Sequence, residues 1–199
     1  TCAEDSVARR SAQTALFLIA EAFVRWIAPI LSFTAHEIWS FMPGDRAEAV
    51  FISEWYPLQR LQEEERINQG DWEAILLAKE AINKVIEEQR NQGVIKGSLG
   101  ANVRLYAEPK LYESLAKLGD ELRFVTITSK AELLPIGDGS TIPESTLTGL
   151  RVSLERSASE KCVRCWHFID DVGSQPEHPD VCARCVDNIS GQGEIRAHA

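Results

Sequence analysis

The first thirty residues show the apolar pattern of a single helix face. The apolar positions are three or four residues apart, and they are Leu16, Ile19, Phe23, Ile27 and Ile30. Glu21 and Arg25 are four positions apart, so we expect them to form an ion pair on the same helix. Pro29 stands at the end of the pattern and predicts that the helix stops or kinks there.

The next segment predicts a short helix with start signals of its own. Thr34 and Glu37 fit a capping box, with Thr34 as the N-cap and Glu37 as the third helical residue. Phe33 and Ile38 occupy the two positions of a hydrophobic staple around that cap. Pro43, followed by Gly-Asp, predicts the end of this helix.

A long helix is predicted from about Asn68 to Gln92, and Gly93 suits the position just after its end. One stripe of this helix contains Trp72, Leu76, Lys79, Ile82 and Ile86, and Ile75 and Val85 widen its apolar part. Residues 51–57 are predicted to be an extended linker, and Glu63–Glu65 a solvated helix face. The helices of the first ninety residues therefore predict a small antiparallel helical bundle.

The hydrophobic period changes after this helix. Alternating residues predict strands at 103–106 and 122–127, with a short helix at 111–118 between them. Further strands are predicted at 131–136 and 150–154, separated by a Gly-Asp-Gly turn. This mixture of short helices and strands is typical of a small α+β domain.

Four cysteines near the end of the chain predict a metal site. They form two Cys-x-x-Cys pairs separated by sixteen residues: Cys162, Cys165, Cys182 and Cys185. Because each pair can turn two thiolates toward one ion, this spacing is typical of a tetrahedral four-thiolate zinc site. Such a site has no open position for water or substrate, so we predict one zinc ion that folds a small module rather than a catalytic metal.

The cysteines leave other interpretations open. A rubredoxin-like iron site uses the same ligands, and His167 or His178 in the intervening loop could replace one cysteine as a ligand. Disulfides need an oxidising compartment, for which the sequence offers no signal peptide, and a redox pair needs a thioredoxin-like setting. Metal-bound thiolates favour a reducing, cytoplasmic location.

The predicted fold class is an α+β multidomain protein with three parts. They are a helical domain over residues 1–93, a small α+β junction domain over 94–158 and a four-cysteine zinc-finger tail over 159–199. Because the chain begins with Thr1 and a helical pattern follows within a few residues, we expect it to be the C-terminal piece of a longer protein. Its apolar runs are too short for a membrane span, so no membrane partner is predicted.

Charge does not by itself indicate a nucleic-acid binder. The 199 residues carry a formal net charge of −9, and residues 160–199 contain four Lys or Arg against seven Asp or Glu. A free-standing nucleic-acid-binding protein more often shows a basic surface. Binding to RNA therefore has to be argued from particular side chains and not from composition.

Three blocks of the sequence nevertheless resemble one family in the family's own order. Residues 25–39 resemble the helix–turn–helix of class I aminoacyl-tRNA synthetases of the isoleucine, valine, leucine and methionine group. Residues 161–167 and 178–185 are similar to the C-terminal zinc finger of bacterial isoleucyl-tRNA synthetases, and residues 93–106 to the segment that joins the two regions. One departure is Ser32, where many relatives have a second proline.

The resemblance implies a role in attaching isoleucine to tRNA(Ile) with ATP. The catalytic domain, with its His-Ile-Gly-His-type and Lys-Met-Ser-Lys-Ser-type motifs, and the editing domain have no counterpart in this sequence. ATP is therefore expected only in the missing catalytic domain, and the chain alone is predicted to be non-catalytic. The task that the resemblance implies is binding of the anticodon stem and loop, with tRNA(Ile) and the remainder of the synthetase chain as partners.

Aromatic and cationic side chains are the candidates for contact with RNA, because unpaired bases stack on aromatic rings and phosphates attract cations. Five candidates lie in or beside the two cysteine pairs: Trp166, Arg164, Arg184, Lys161 and Phe168. Two more, Arg9 and Arg10, lie in the first helix. A structural interpretation also applies: Trp166 could cover the metal, and the two knuckle arginines could offset the charge of four thiolates.

Two alternative functions remain. The zinc finger is similar to the one that ends a class of DNA-repair glycosylases, which would make the chain a binder of duplex DNA. Those enzymes need an N-terminal proline nucleophile and a different catalytic domain. The other alternative is a purely structural module that packs on the body of a parent enzyme. Relative affinity for tRNA and duplex DNA would distinguish the first alternative from the synthetase interpretation.

Overall fold

A computed structural model describes residues 2–58 and 66–198 of the chain. Contacts between residues divide it into two units, one formed by Glu4–Gln62 and the other by Glu63–Ala199 together with Thr1–Ala3. The predicted solvated helix face at Glu63–Glu65 lies outside the described residues. The predicted three-part division of the chain stays a prediction.

The described part of the first unit, residues 4–58, contains two helices and one short 3₁₀ turn. Helix α1 runs over Val7–Ile27, helix α2 over Ser32–Phe41, and the 3₁₀ turn over Val50–Ile52. The segment predicted as an extended linker therefore begins in the 3₁₀ turn and is irregular only after it. The small core of this unit consists of Val24, Ala28, Ala35, Trp39 and Val50.

Most of the apolar face predicted for α1 is exposed in the part of the chain that the structure describes, and of its residues only Ile27 packs against the core of this unit. Phe23 exposes 51% of its surface, and Leu16, Ile19 and Ile30 are more exposed still. The buried side of α1 is formed instead by small residues and one charged residue: Glu21, Ala22 and Val24. Helix α1 therefore packs in its unit mainly through a side other than the one that its large apolar residues mark.

The capping box predicted at Thr34 is also wrong. Helix α2 begins at Ser32, its N-cap is Leu31, and that residue makes no side-chain capping bond. The chain turns directly out of α1, since the Leu31 N–H donates to the Ile27 carbonyl at 2.7 Å and the Ala35 N–H to the Leu31 carbonyl at 2.8 Å. Thr34 is thus already inside the helix, where its N–H belongs to the first turn.

One buried carboxylate organises the first unit. Glu21 accepts a hydrogen bond from Arg25 at 2.6 Å, as its spacing predicts, and another from Arg46. Both guanidinium carbons lie 4.7 Å from the ring centroid of Trp39, within the range of cation–π attraction. The hydrogen bond from Arg46 and, to a smaller extent, the one from Arg25 lower the pKa of Glu21. Glu21 is therefore held as the anion that aligns two cations on one aromatic ring.

The second unit is an α+β layer followed by the cysteine module. Its sheet has three strands in the order β2-β1-β3, with β2 parallel and β3 antiparallel to β1. The elements in chain order are α3 at Gln69–Asn91, β1 at Ala101–Ala107, α4 at Pro109–Ala116, α5 at Leu122–Thr126, β2 at Lys130–Pro135, β3 at Leu150–Arg156 and α6 at Ala183–Ser190. The fold is therefore α+β, with a small sheet, as the sequence predicts.

Helix α3 matches its predicted bounds and packs within the second unit. Its buried residues are Ile75, Ala78, Ala81, Ile82 and Ile86, together with Asp71 at the start, whereas Leu76 is exposed. The apolar residues join the core formed by the sheet, α4 and α5. An antiparallel bundle of the first ninety residues is therefore not confirmed, because α3 completes the layer over the sheet.

The strand predicted at 122–127 is wrong, because this segment is the short helix α5. Leu122 and Thr126 are both buried, one helical turn apart, and the Thr126 hydroxyl donates to the Leu122 carbonyl at 3.0 Å. Ile127 then adopts a left-handed backbone with φ of 56° and ends the helix. A parallel β1–β2 pair requires a crossover, and that requirement overrides the β propensity of Phe-Val-Thr-Ile.

Within the described residues, no helix has both the length and the apolar composition that crossing a membrane requires.

We predict that Asp71 makes the second unit sensitive to acid. Its carboxylate accepts hydrogen bonds from Lys117 at 2.6 Å, from the Asn68 N–H at 3.0 Å and from Ser114 at 2.8 Å. These bonds lower the pKa of Asp71, and the bond from Lys117 contributes most. Since the folded state favours the anion, this stabilisation is present above the ordinary pKa of 3.8 and is lost as the pH falls through the folded-state pKa.

Asp71→Asn should therefore unfold at a lower temperature than the parent chain at about pH 7, and the difference should shrink as the pH falls below 3.8. Thermal unfolding followed by circular dichroism across this pH range measures the effect. Glu73→Gln, an exposed carboxylate on the same helix, is the control. A difference between Asp71→Asn and the parent chain that stays constant with pH would contradict the prediction.

Candidate metal centre and nucleic-acid surface

The two cysteine pairs are held by different kinds of local structure. Cys162 and Cys165 lie in a turn closed by an antiparallel bridge between Lys161 and Phe168. Cys182 is the N-cap of α6, and Cys185 lies in the first turn of that helix. The turn therefore supplies two sulfur atoms and the start of α6 supplies the other two, and all four meet at one position.

The four sulfur atoms form one buried cluster. All four Sγ atoms lie within 4.8 Å of one another, and the Cys165–Cys182 distance is 3.8 Å. A tetrahedron of Zn–S bonds of about 2.3 Å requires sulfur atoms about 3.8 Å apart, so the cluster has the dimensions of a zinc site. His167 and His178 are not members of the cluster that the described residues form.

The thiols do not ionise alike. Burial raises the pKa of Cys182 and Cys185. Burial acts in the same direction at Cys162 and Cys165, but backbone N–H groups outweigh it at Cys162, and polar interactions with His167 and Arg184 lower the pKa of Cys165 to about 5. Four thiolates at this spacing would repel strongly, so a cation is needed to keep all four deprotonated.

The surroundings of the cluster are apolar and partly cationic. Ile169, Val172 and Val181 pack against the cysteines. The Arg164 guanidinium donates to Cys185 Sγ at 3.5 Å. These contacts supply both functions that structural zinc sites need around their thiolates: shielding from water and a positive charge that offsets the ligands.

Arg184 is bound within the module. Its Nη1 donates to both carboxylate oxygens of Glu194, at 3.1 and 3.2 Å, and its guanidinium lies 5.0 Å from the ring centroid of Phe124. Arg196 lies 3.7 Å from the same ring and pairs with Glu194 at 3.1 Å. The Glu121 carboxylate accepts the backbone N–H groups of 197 and 198. The segment after α6 is thereby fixed on α5.

Trp166 is exposed at the edge of the cysteine turn. It adopts a left-handed backbone with φ of 67°, an uncommon conformation for a residue with a side chain, and 60% of its surface is exposed. The Lys161 Nζ lies 5.4 Å from the centroid of its ring. Since other residues cover the cysteines, the ring of Trp166 is left available for a contact outside the chain.

Phe168 connects the cysteine turn to the α+β layer. Its N–H donates to the Ser129 hydroxyl at 2.7 Å, and that hydroxyl donates in turn to the Leu99 carbonyl. Trp166, Phe168 and Lys161 line an open groove of about 570 Å³. Residues 95–100 and Arg156 at the end of β3 line the same groove.

Arg9 and Arg10 lie in the first turn of α1, in the other unit. Both are exposed. The Ser6 hydroxyl caps the helix by accepting the Arg9 N–H at 3.2 Å, and the Arg10 Nη2 donates to the Glu4 carbonyl at 2.9 Å. The side chain of Arg9 is therefore the more available of the two for a phosphate.

Lys96 and Arg156 are residues of the groove that the sequence analysis did not identify. No motif marks them, since they are sixty positions apart and neither is next to a cysteine. Phe124, whose ring three arginines contact, falls in a segment that the sequence predicts as a strand. Only the packing of the cysteine module on the α+β layer brings these residues together.

Comparison with known proteins identifies the class to which this fold and site belong. A family described as "Anticodon-binding domain of tRNA ligase" matches residues 1–105, more than half of the chain. A second family, described as "Zinc finger found in FPG and IleRS", matches residues 159–188, which contain the four cysteines. The chain belongs to the anticodon-binding domain family of tRNA ligases, and its four-cysteine module is a zinc finger for one zinc ion.

Relatives narrow the class further. The chain is 49% identical to "Isoleucine--tRNA ligase" of Azotobacter vinelandii, 50% to that of Teredinibacter turnerae and 51% to that of Pseudomonas putida strain W619. Each match covers 100% of this chain and 21% of the relative. The chain therefore spans about a fifth of the length of the curated relatives that it matches. This similarity confirms the resemblance to isoleucyl-tRNA synthetases that three sequence blocks indicated.

We predict that removal of zinc unfolds the cysteine module and leaves the helices of the first unit intact, since binding of such a metal is coupled to folding. Cys182→Ser should bind less than one zinc ion per chain and lose the ordered α6 segment. Cys2→Ser is the matched control, because Cys2 lies outside the cluster. Zinc content by atomic emission and helix content by circular dichroism test both variants, and full zinc content in Cys182→Ser would contradict the prediction.

Proposed function

We propose that this chain is the part of an isoleucine–tRNA ligase that binds the anticodon stem and loop of tRNA(Ile). The observation that carries the proposal is the match of residues 1–105 to the anticodon-binding family. Relatives named for isoleucine match the chain from end to end, which supports tRNA(Ile) as the substrate. Binding energy gained here would orient the tRNA for a reaction at a distant centre.

The proposed metal ligands are the thiolates of Cys162, Cys165, Cys182 and Cys185. The spacing of the four sulfur atoms supports this ligand set. Four protein ligands fill a tetrahedral site, so zinc would stabilise the module and leave no position for water or substrate. The chemistry that zinc supplies is therefore structural.

The proposed RNA-contacting surface includes Trp166, Lys161 and Phe168, with Arg164 beside them. The exposure of Trp166 and the position of Lys161 over its ring support this choice. Arg184 is left out of this surface, because its contacts to Glu194 and Phe124 favour a role in holding the segment after α6.

Arg9 and Arg10 are proposed to meet the phosphate backbone of the anticodon stem. Their exposure at the start of α1 supports this assignment. Phosphate contacts carry no sequence information, so these two residues would contribute affinity and position rather than selectivity.

The proposed protein partner is the remainder of the synthetase chain. The exposed apolar side chains of α1, among them Leu16, Ile19 and Phe23, support this, because large apolar patches mark surfaces that another protein segment covers. The nucleotide-binding site for ATP would lie in that remainder. The proposed location is the cytoplasm, where translation takes place and thiolates stay reduced.

Binding to duplex DNA is the competing function. The zinc-finger family that matches residues 159–188 is named for FPG as well as for IleRS, and this double name is what favours the alternative. The anticodon-binding match over the other half of the chain has no place in that interpretation. The two functions differ in their expected ligand, so one titration distinguishes them.

We predict that the chain binds tRNA(Ile) more tightly than a non-cognate tRNA or duplex DNA at the same salt concentration. The preference should weaken after zinc is removed, because the proposed RNA-contacting surface around Trp166 lies on the zinc finger. Fluorescence anisotropy with the three labelled nucleic acids, with and without a zinc chelator, measures it. Equal or tighter binding of duplex DNA would overturn the proposed function.

We predict that Trp166→Ala weakens tRNA binding without releasing zinc. Stacking of a base on an aromatic ring is worth about 1–3 kcal/mol, or roughly a five- to 150-fold change in Kd. Trp166→Phe keeps an aromatic ring and has the same backbone requirement at φ of 67°, so it should lose less. Loss of zinc from Trp166→Ala, or unchanged affinity, would favour the packing role of Trp166.

A further inference from the structure

The groove between the α+β layer and the zinc finger is formed by chain segments that are far apart in sequence. It has a volume of about 570 Å³, which falls within the size range of small-ligand sites. Residues 97–100, just before β1, are part of its lining. The lining side chains with relevant chemistry are Lys96, Arg156, Lys161, Trp166 and Phe168.

The charge of this groove is opposite to that of the chain. Three of its lining residues are cationic and none is acidic, although the chain as a whole carries a net charge of −9. Within the described residues, Lys96 and Arg156 have no ion-pair partner, in contrast to Arg104, which pairs with Glu132 and Glu155. A polyanion repelled by most of this surface would therefore be attracted here.

Aromatic rings lie on the zinc-finger side of the same groove. Trp166 is largely exposed and Phe168 is partly buried, and Lys161 lies over the Trp166 ring. The bond from the Phe168 N–H to the Ser129 hydroxyl ties the turn that carries both rings to the α+β layer, which supplies Lys96 and Arg156. Rigid aromatic faces beside unpaired cations are the two features that bind single-stranded nucleic acid.

We infer that the groove holds one unpaired nucleotide of the RNA, with its phosphate between Lys96 and Arg156 and its base on Trp166. This inference rests on the proposed function and adds to it a phosphate site on the α+β layer. A duplex would not present a free base face to Trp166, so the occupant is a nucleotide of a single-stranded loop. Since the site reads a phosphate and a stacking surface, it should contribute affinity and little base selectivity.

Gly97 allows a direct test of occupancy. It lines the groove and has an extended backbone with φ of −163°, which any residue can adopt. A Cβ at this position would meet no heavy atom of the described chain within 4 Å. Gly97→Glu therefore places a carboxylate in the groove without backbone strain, and Gly97→Gln adds the same volume without charge.

The probe is a synthetic RNA hairpin with the anticodon stem and loop of an isoleucine tRNA, and its Kd is measured by anisotropy at several salt concentrations. We expect Gly97→Glu to bind at least roughly tenfold more weakly than Gly97→Gln, because a like charge in the lining of the groove repels the phosphate. Lys96→Gln combined with Arg156→Gln should weaken cognate and non-cognate hairpins equally. It should also reduce the slope of log K against log salt by about 0.7 per lost contact.

The control removes two charges elsewhere on the same unit. Lys110→Gln combined with Lys130→Gln replaces two exposed lysines outside the groove and should leave the slope nearly unchanged. Zinc content and thermal unfolding of every variant verify that each is folded.

The outcomes separate the groove from the proposed function. If the parent chain binds the hairpin and Gly97→Glu binds as Gly97→Gln does, the groove is not the site, and the proposed function stands. If the parent chain binds no RNA, both are overturned. Weakening confined to Gly97→Glu and to the Lys96 and Arg156 double variant, with the lysine control unchanged, supports the inference.

Discussion

Repulsion among four thiolates is the constraint on which the C-terminal part of this protein depends. The sulfur atoms of the two cysteine pairs lie within 4.8 Å of one another, and burial alone would keep some of them protonated. A zinc ion removes that conflict and converts the repulsion into a fixed tetrahedron. The turn that carries Trp166 and the start of α6 both take their positions from it.

The zinc finger acquires its orientation from contacts outside the metal site. Phe168 is bonded to Ser129 ahead of β2, and Phe124 of α5 is covered by Arg184 and Arg196. These contacts turn the exposed ring of Trp166 toward the residues that precede β1. The proposed surface for nucleic acid thus lies where two modules meet, although neither module is basic by composition.

Local signals predicted those elements whose residues act through near neighbours. Helix α3, strands β1, β2 and β3, and the four-cysteine cluster follow from periodicity and spacing. The strand expected at 122–127 is a helix, because a parallel crossover between β1 and β2 imposes its own geometry. The capping box expected at Thr34 fails, because the chain leaves α1 by a turn that already starts α2.

The sequence by itself determined the family, the metal and its candidate ligands, since three ordered blocks and a cysteine spacing are properties of neighbouring residues. Only the tertiary structure decided which cations are free to meet a phosphate. Arg184 is bound by Glu194, whereas Lys96 and Arg156 line a groove that has no acidic residue in its described lining. Whether a charge is paired depends on residues distant in sequence, and packing alone brings those residues together.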